Sequence, residues 1–293
     1  MEENQKDTKF ENLVFCGGLG DLIALDSAID LETKRNIKKI IILNKSESDV
    51  YYKNRLELLR INNHYNSNVE FCPIYIKFEK QKYYGQFTNY PVYFLTKKIK
   101  KELGVEGKKT LFCFRFWKKY FLNKLYKEDN TEIRKKNSYY YSETLENIEK
   151  FGLPNNYWVI VGWSRDNRPN YFNFKYDEWI EIKTLLEKNK VFGVLLNKGE
   201  RDKIPNCKYF INLIGQTNYL EALEITKKAS GYIGINGSLS ILPMLKNPKK
   251  CFIKCSYNTF SEIIHKKYYS NVKNSNKIMF NSLTAQNCNI NFN

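Results

Sequence analysis

Short apolar runs alternate along this chain with longer stretches whose apolar positions recur every three to four residues. In the first half the pattern predicts a strand over Asn12 to Cys16, a helix over Asp21 to Leu31, a strand over Lys39 to Leu43, a helix over Tyr51 to Ile61 and a strand over Val69 to Ile76. Further strands are expected at Val92 to Leu95 and Leu111 to Phe114, followed by helices at Trp117 to Tyr126 and Ser142 to Phe151. The second half repeats the alternation. It predicts strands at Tyr157 to Trp163, Val191 to Leu196, Lys208 to Ile211, Gly231 to Ile235 and Cys251 to Lys254, with helices at Tyr176 to Lys188, Tyr219 to Ala229 and Leu239 to Lys246.

Strands that alternate with helices in this way predict parallel sheets covered on both faces, hence an α/β fold of two facing doubly wound, Rossmann-like domains. The segment Phe151-Gly-Leu-Pro-Asn-Asn156 gathers turn-forming residues between the halves, which places the boundary after residue 152. Residues 1–152 form one expected domain and 153–293 the other, with the tail beyond Ser256 expected to pack back on the first. No internal repeat is visible in the sequence.

Composition narrows the classes. The 293 residues are 42% hydrophobic and 15% aromatic, far from a disordered chain despite a mean hydropathy of -0.56. No stretch approaches the length and apolarity of a membrane-spanning helix, and the polar N-terminus does not read as a signal peptide. Seven scattered cysteines, an odd number, favour reduced thiols and a cytoplasmic location. With only His64 and His265 as histidines, clustered zinc ligands are not expected, and neither a metal nor a cofactor is called for. Lys and Arg number 48 against 31 acidic residues, a formal charge of +17 that concentrates phosphate-bearing partners around the protein. Sugar nucleotide, nucleic acid and an anionic membrane surface all suit that charge. An AT-rich genome, such as that of a virus or phage, inflates Lys, Asn, Ile and Tyr together and accounts for part of it.

Three loops carry candidate chemistry. Cys16-Gly-Gly-Leu-Gly-Asp21 joins a predicted strand to a helix. Gly17, Gly18 and Gly20 allow a sharp turn and close approach of a phosphate or acceptor, and the helix N-terminus offers unpaired N–H groups to an anion. Asp21 either caps that helix or projects as a general base. The spacing is neither a dinucleotide fingerprint nor a P-loop. The second loop closes Gly231-Tyr-Ile-Gly-Ile-Asn-Gly-Ser-Leu-Ser240, where Asn236, Gly237, Ser238 and Ser240 stand at a strand's carboxyl end, the edge at which parallel sheets take ligands. Ser238 serves equally as a helix cap. The third, Gly162-Trp-Ser-Arg-Asp-Asn-Arg168, offers Ser164, Arg165 and Arg168 to a diphosphate, and Lys198 lies beyond another strand end. The basic aromatic stretch Phe114 to Lys127 fits an amphipathic helix on its own core or one docked on an anionic surface.

Two of these segments resemble a family. Phe15-Cys-Gly-Gly-Leu-Gly-Asp-Leu-Ile-Ala24 is similar to the N-terminal Gly-Asp motif of the lipopolysaccharide heptosyltransferases, glycosyltransferase family nine, whose fold is GT-B. Leu213 to Leu242 with Asn247-Pro248 resembles the family's C-terminal helix, strand and donor loop. The resemblance implies that Asp21 is the catalytic carboxylate and that Asn236 to Ser240 hold the nucleotide sugar. It also implies an inverting transfer to a glycan or glycolipid hydroxyl, without metal, in keeping with the lack of an Asp-x-Asp motif. The chain departs from the family where Asn236-Gly237-Ser238 and Ile241 replace Asp-Ser/Thr-Gly and a following His, so ADP-heptose is not implied as donor. A DNA-modifying glycosyltransferase and a non-catalytic sugar-nucleotide or nucleic-acid binder of the same fold remain as alternatives.

Overall fold

The structure, a computed structural model, describes residues 10–15, 18–44, 50–75, 101, 105, 110–113, 131–163, 173–197, 204–235, 237–247 and 250–254. The strand expected at Val92 to Leu95, the helix at Trp117 to Tyr126 and the tail from Ser256 lie outside them. The chain divides into two compact units, Met1–Ser142 and Glu143–Asn293.

The first unit contains β1 (Asn12–Phe15), α1 (Leu19–Ala28), α2 (Leu31–Asn36), β2 (Lys39–Asn44), α3 (Val50–Ile61), β3 (Glu70–Tyr75), β4 (Thr110–Cys113), α4 (Thr131–Asn137) and α5 (Tyr139–Ser142). Its four strands are parallel, in the order β3-β2-β1-β4. Leu13, Val14 and Phe15 on β1 and Ile40, Ile41 and Ile42 on β2 are all buried, successive residues facing opposite sides of the sheet. Burial on both faces is why these strands read as unbroken apolar runs, and each such side chain contributes about 1.5–3 kcal/mol on leaving water.

One helix was expected over Asp21 to Leu31, and the structure corrects this to two. α1 ends at Ala28, and Asp30 caps α2, its Oδ1 accepting from the Thr33 amide at 2.7 Å and its Oδ2 from the Thr33 hydroxyl at 2.8 Å. The break is fixed by a buried polar cluster. Lys34 Nζ on α2 lies 2.6 Å from Asp26 Oδ1 on α1, both side chains almost fully buried. Asp26 also accepts from Asn62 Nδ2 and from the Tyr139 amide, each at 2.8 Å. Lys34 donates further to the Asn137 carbonyl. Burial pulls the Lys34 ammonium below its ordinary value, with the Asp26 carboxylate opposing. Four segments are thereby tied to the back of α1.

The second unit contains β5 (Tyr157–Val161), α6 (Tyr176–Asn189), β6 (Phe192–Leu195), β7 (Phe210–Asn212), α7 (Tyr219–Lys228), β8 (Gly231–Ile235), a 3-10 turn (Ser238–Ser240), α8 (Ile241–Lys246) and β9 (Cys251–Lys254). All five strands are parallel, in the order β7-β6-β5-β8-β9. β5 is buried throughout and splits its residues between two cores. Trp158 and Ile160 join Trp179, Ile182 and Leu186 of α6 on one face; Tyr157, Val159 and Val161 join Ala222 and Ile225 of α7 on the other. Gly162 follows directly, where a Cβ would lie 2.1 Å from the Trp179 ring, so the strand end accepts that indole only because it has no side chain.

The helix expected at Ser142 to Phe151 does not form. Only Glu149–Phe151 turns, as a 3-10 helix, and the preceding backbone is claimed by side chains of α7. The Leu145 amide donates to Glu224 Oε2 at 3.0 Å, Lys227 Nζ donates to the Glu143 carbonyl, and the Glu149 amide is taken by Asn147 Oδ1 at 2.9 Å. With these groups satisfied from outside, an intrahelical ladder has nothing to offer them. The same bonds attach residues 143–152 to the second unit, so the division falls between Ser142 and Glu143, before the Gly-Pro-Asn segment that sequence composition singles out.

Candidate functional site

In each unit the strand order reverses once. β1 is flanked by β2 on one side and β4 on the other, and β5 is flanked by β6 and β8. Connections that leave a parallel sheet in opposite directions open a crevice at the carboxyl ends of such a strand pair, and ligands of doubly wound sheets sit there. The loops after β1, β5 and β8 start at these reversals. The strands that lead into the three sequence-selected loops thus end at the edge of their sheets where doubly wound folds take ligands.

At the end of β1, Gly18 is the N-cap of α1 in extended conformation, and the helix begins at Leu19, two residues before the sequence expectation. Gly20 therefore lies within the first turn of α1 and not in the loop. Asp21 occupies the third helical position, and its Oδ2 accepts from the Gly18 amide at 2.9 Å. This is the carboxylate half of a capping box: Gly18 has no side chain to return the bond. The side chain is half-buried. An anionic group of the protein's own thus already answers the positive end of this helix, which weakens the case for a phosphate there and leaves room for a neutral hydroxyl acceptor.

At the end of β8 the geometry differs. Tyr232 is fully buried and its hydroxyl donates to the Ile235 carbonyl at 2.9 Å, pinning the last residue of the strand. Gly237 then caps the 3-10 turn with φ −159° and ψ −172°, extended backbone that any residue adopts. Among the described residues, a Cβ added to Gly237 would meet nothing within 4 Å. The turn does not require the glycine, and no described residue packs against it. Ser240 is buried, its hydroxyl donating to the Gly237 carbonyl at 2.7 Å and facing the Gly237 amide at 3.5 Å. Ser240 thus holds the loop's shape. Ser238, half-buried, makes no side-chain cap; Gly237 has that position. The Ser238 hydroxyl faces instead the buried hydroxyl of Tyr219, the first residue of α7.

Gly17, Ser164, Arg165, Arg168, Lys198 and Asn236 lie outside the described residues. Two residues that sequence reading passed over do bear on the loops they belong to. Asn197, next to Lys198, donates from Nδ2 to the Trp163 carbonyl at 3.2 Å and accepts at its own carbonyl from the Gly215 amide at 2.8 Å, tying together the chain that leaves β5, β6 and β7. An Asn directly after an apolar strand is a recognisable turn signal. Tyr219 gave no such signal, because Ser238, which it faces, follows it in the chain only after a helix and a strand. Among the described residues no three His, Cys, Asp or Glu side chains gather to hold a metal ion, and no helix is long and apolar enough to cross a membrane.

No family model matches the chain, and no curated protein matches it. Among solved structures it is similar to the iron-containing dodecameric glycosyltransferase TibC from enterotoxigenic E. coli H10407, at 12% identity, covering 85% of this chain and 57% of that one with a TM-score of 0.42. It is similar also to the dodecameric iron-containing heptosyltransferase TibC in complex with ADP-D-beta-D-heptose, at 10% identity, covering 86% and 60%, TM-score 0.43. The chain spans less than two thirds of the length of these neighbours.

Proposed function

We propose that this protein is a glycosyltransferase of GT-B architecture that takes a sugar from a nucleotide-diphosphate donor and passes it to a hydroxyl of a glycan or glycolipid. The observation that carries the proposal is Gly237, a glycine that neither its backbone conformation nor packing among the described residues requires, standing at the strand reversal of the second unit. Close approach of a ligand to the backbone is a physical use of such a glycine. The backbone amide of Ser238 and the Ser238 hydroxyl would supply donors for diphosphate oxygens. The resemblance of the two sequence segments to heptosyltransferases supports the assignment, with Asn236, Ser164, Arg165, Arg168 and Lys198 as further donor contacts.

In the transfer, Asp21 takes the proton of the acceptor hydroxyl as its oxygen attacks the anomeric carbon from the side opposite the diphosphate. The C–O bond to the diphosphate breaks, its electron pair leaves with the phosphate oxygen, and the donors of the second unit hold the developing charge. The configuration at the anomeric carbon inverts. Peripheral contact with an anionic membrane would bring a glycolipid acceptor within reach of the strongly basic chain.

A second reading rests on a specific contact. Because Asp21 already accepts from Gly18, the carboxylate has a structural task without catalysis, as in a sugar-nucleotide binding protein of the same fold. A thermal-shift series against UDP, GDP, ADP and CMP sugars tests both. A true donor at 100 times its dissociation constant stabilises by about 2.7 kcal/mol; no stabilisation by any member would sink both readings. Turnover with the stabilising donor, and its loss in Asp21→Asn, separates enzyme from binder.

A further inference from the structure

Three buried tyrosine hydroxyls of the second unit have different surroundings. Tyr157 donates to the Ile225 carbonyl at 2.8 Å and Tyr232 to the Ile235 carbonyl at 2.9 Å. The Tyr219 hydroxyl, equally shut off from solvent, closes no hydrogen bond of normal geometry. Burial holds its phenol well above the ordinary value of 10.0, with Ser238 opposing, so it is a neutral donor at physiological pH. A buried hydroxyl without a partner costs free energy, so its presence calls for a physical reason. α7, which carries Tyr219, packs against the 3-10 turn of Ser238–Ser240, and the side chain that the phenol faces is Ser238, next to Gly237, which no described residue packs against.

A serine hydroxyl has one hydrogen to donate and two lone pairs to accept with. Left alone, its hydrogen rotates freely. If a neighbouring phenol occupies a lone pair, the hydrogen is directed elsewhere and the pair of bonds strengthens cooperatively. We infer that Tyr219 is a positioning residue for a diphosphate-bearing ligand: it donates to Ser238 Oγ and so turns the Ser238 hydrogen toward an anionic oxygen seated over Gly237. This rests on the reading of the loop given under Proposed function and adds to it a residue that never touches the ligand.

Inorganic pyrophosphate, which carries the anionic chemistry without base or sugar, is the probe. Its affinity for the full chain is measured by titration calorimetry for the wild type, Tyr219→Phe, Ser238→Ala and the double variant, alongside the melting temperature of each without ligand. Tyr219→Phe removes only the hydroxyl, so affinity should fall roughly three- to ten-fold, while the unliganded melting temperature stays the same or rises because an unpaired buried group has gone. The double variant should bind no more weakly than Ser238→Ala. A Tyr219→Phe variant that melts lower yet binds pyrophosphate as the wild type does overturns the inference and leaves the loop's role standing. A wild type that does not bind pyrophosphate at all overturns both.

Discussion

Asp21 Oδ2 lies 2.9 Å from the backbone nitrogen of Gly18, so the proposed catalytic base is at the same time the cap of the helix that presents it. The two tasks are separable because they use different properties. Capping needs an acceptor oxygen, which asparagine retains. Proton abstraction needs a carboxylate.

Asp21→Asn is therefore expected to keep its bond to Gly18 and lose no more than about 1 kcal/mol of stability, chiefly the interaction of charge with the helix end. Turnover should fall about 100-fold or more. Asp21→Ala should add the loss of the hydrogen bond from the Gly18 amide, about 0.5–1.5 kcal/mol, to the same kinetic loss. Chemical denaturation of both variants beside their turnover measures this. Equal turnover in wild type and Asp21→Asn would leave only the cap.

Gly237→Val is expected to fold normally. Its backbone is already extended and, among the described residues, the added side chain meets no atom within 4 Å at its Cβ, so the melting temperature should shift by no more than the equivalent of about 0.5 kcal/mol, as for a neutral surface change. Nucleotide-dependent stabilisation should disappear. Retained stabilisation by the nucleotide in this variant would remove the loop from the donor site.

Lys34→Met leaves Asp26 buried with a charge that the Asn62 and Tyr139 donors balance only in part, and a loss of about 3–5 kcal/mol is expected. The double change Asp26→Leu with Lys34→Met removes the stranded charge and should recover part of the loss. Denaturant midpoints for the two variants decide it; equal loss in both would assign the effect to packing alone.

Alkaline stability follows from Tyr157 and Tyr232. Burial raises both phenols above the ordinary 10.0, and each hydroxyl donates to a carbonyl. A raised value means that the native chain holds these protons more tightly than the unfolded chain does. Their contribution is complete below pH 10 and is lost as the pH rises beyond it, by about 1.4 kcal/mol per pH unit for each group. Denaturant unfolding between pH 8 and 11 should show this decline, and Tyr157→Phe should make it shallower. A slope unchanged by that substitution would exclude Tyr157 from the effect.

The strands were legible in the sequence because a parallel sheet buried on both faces demands unbroken apolar runs. The bounds of Gly231 to Ile235 and Cys251 to Lys254 follow from local composition alone. The loops of interest were legible for the same reason, since the residues that end a buried strand mark the sheet's carboxyl edge. Other features depended on partners that local periodicity does not carry. Ser142 to Phe151 has a helical pattern but lost its helix to Glu224 and Lys227. The α1–α2 break is held by an ion pair completed from Asn62, Asn137 and Tyr139. The different settings of the two serines in the Gly237 loop were decided by packing too, because Ser240 turned inward onto Gly237 while Ser238 came to face a phenol from α7. Chain pattern determines which faces seek burial; only the closed fold determines which buried polar group meets which other, because that depends on distances between residues far apart in sequence.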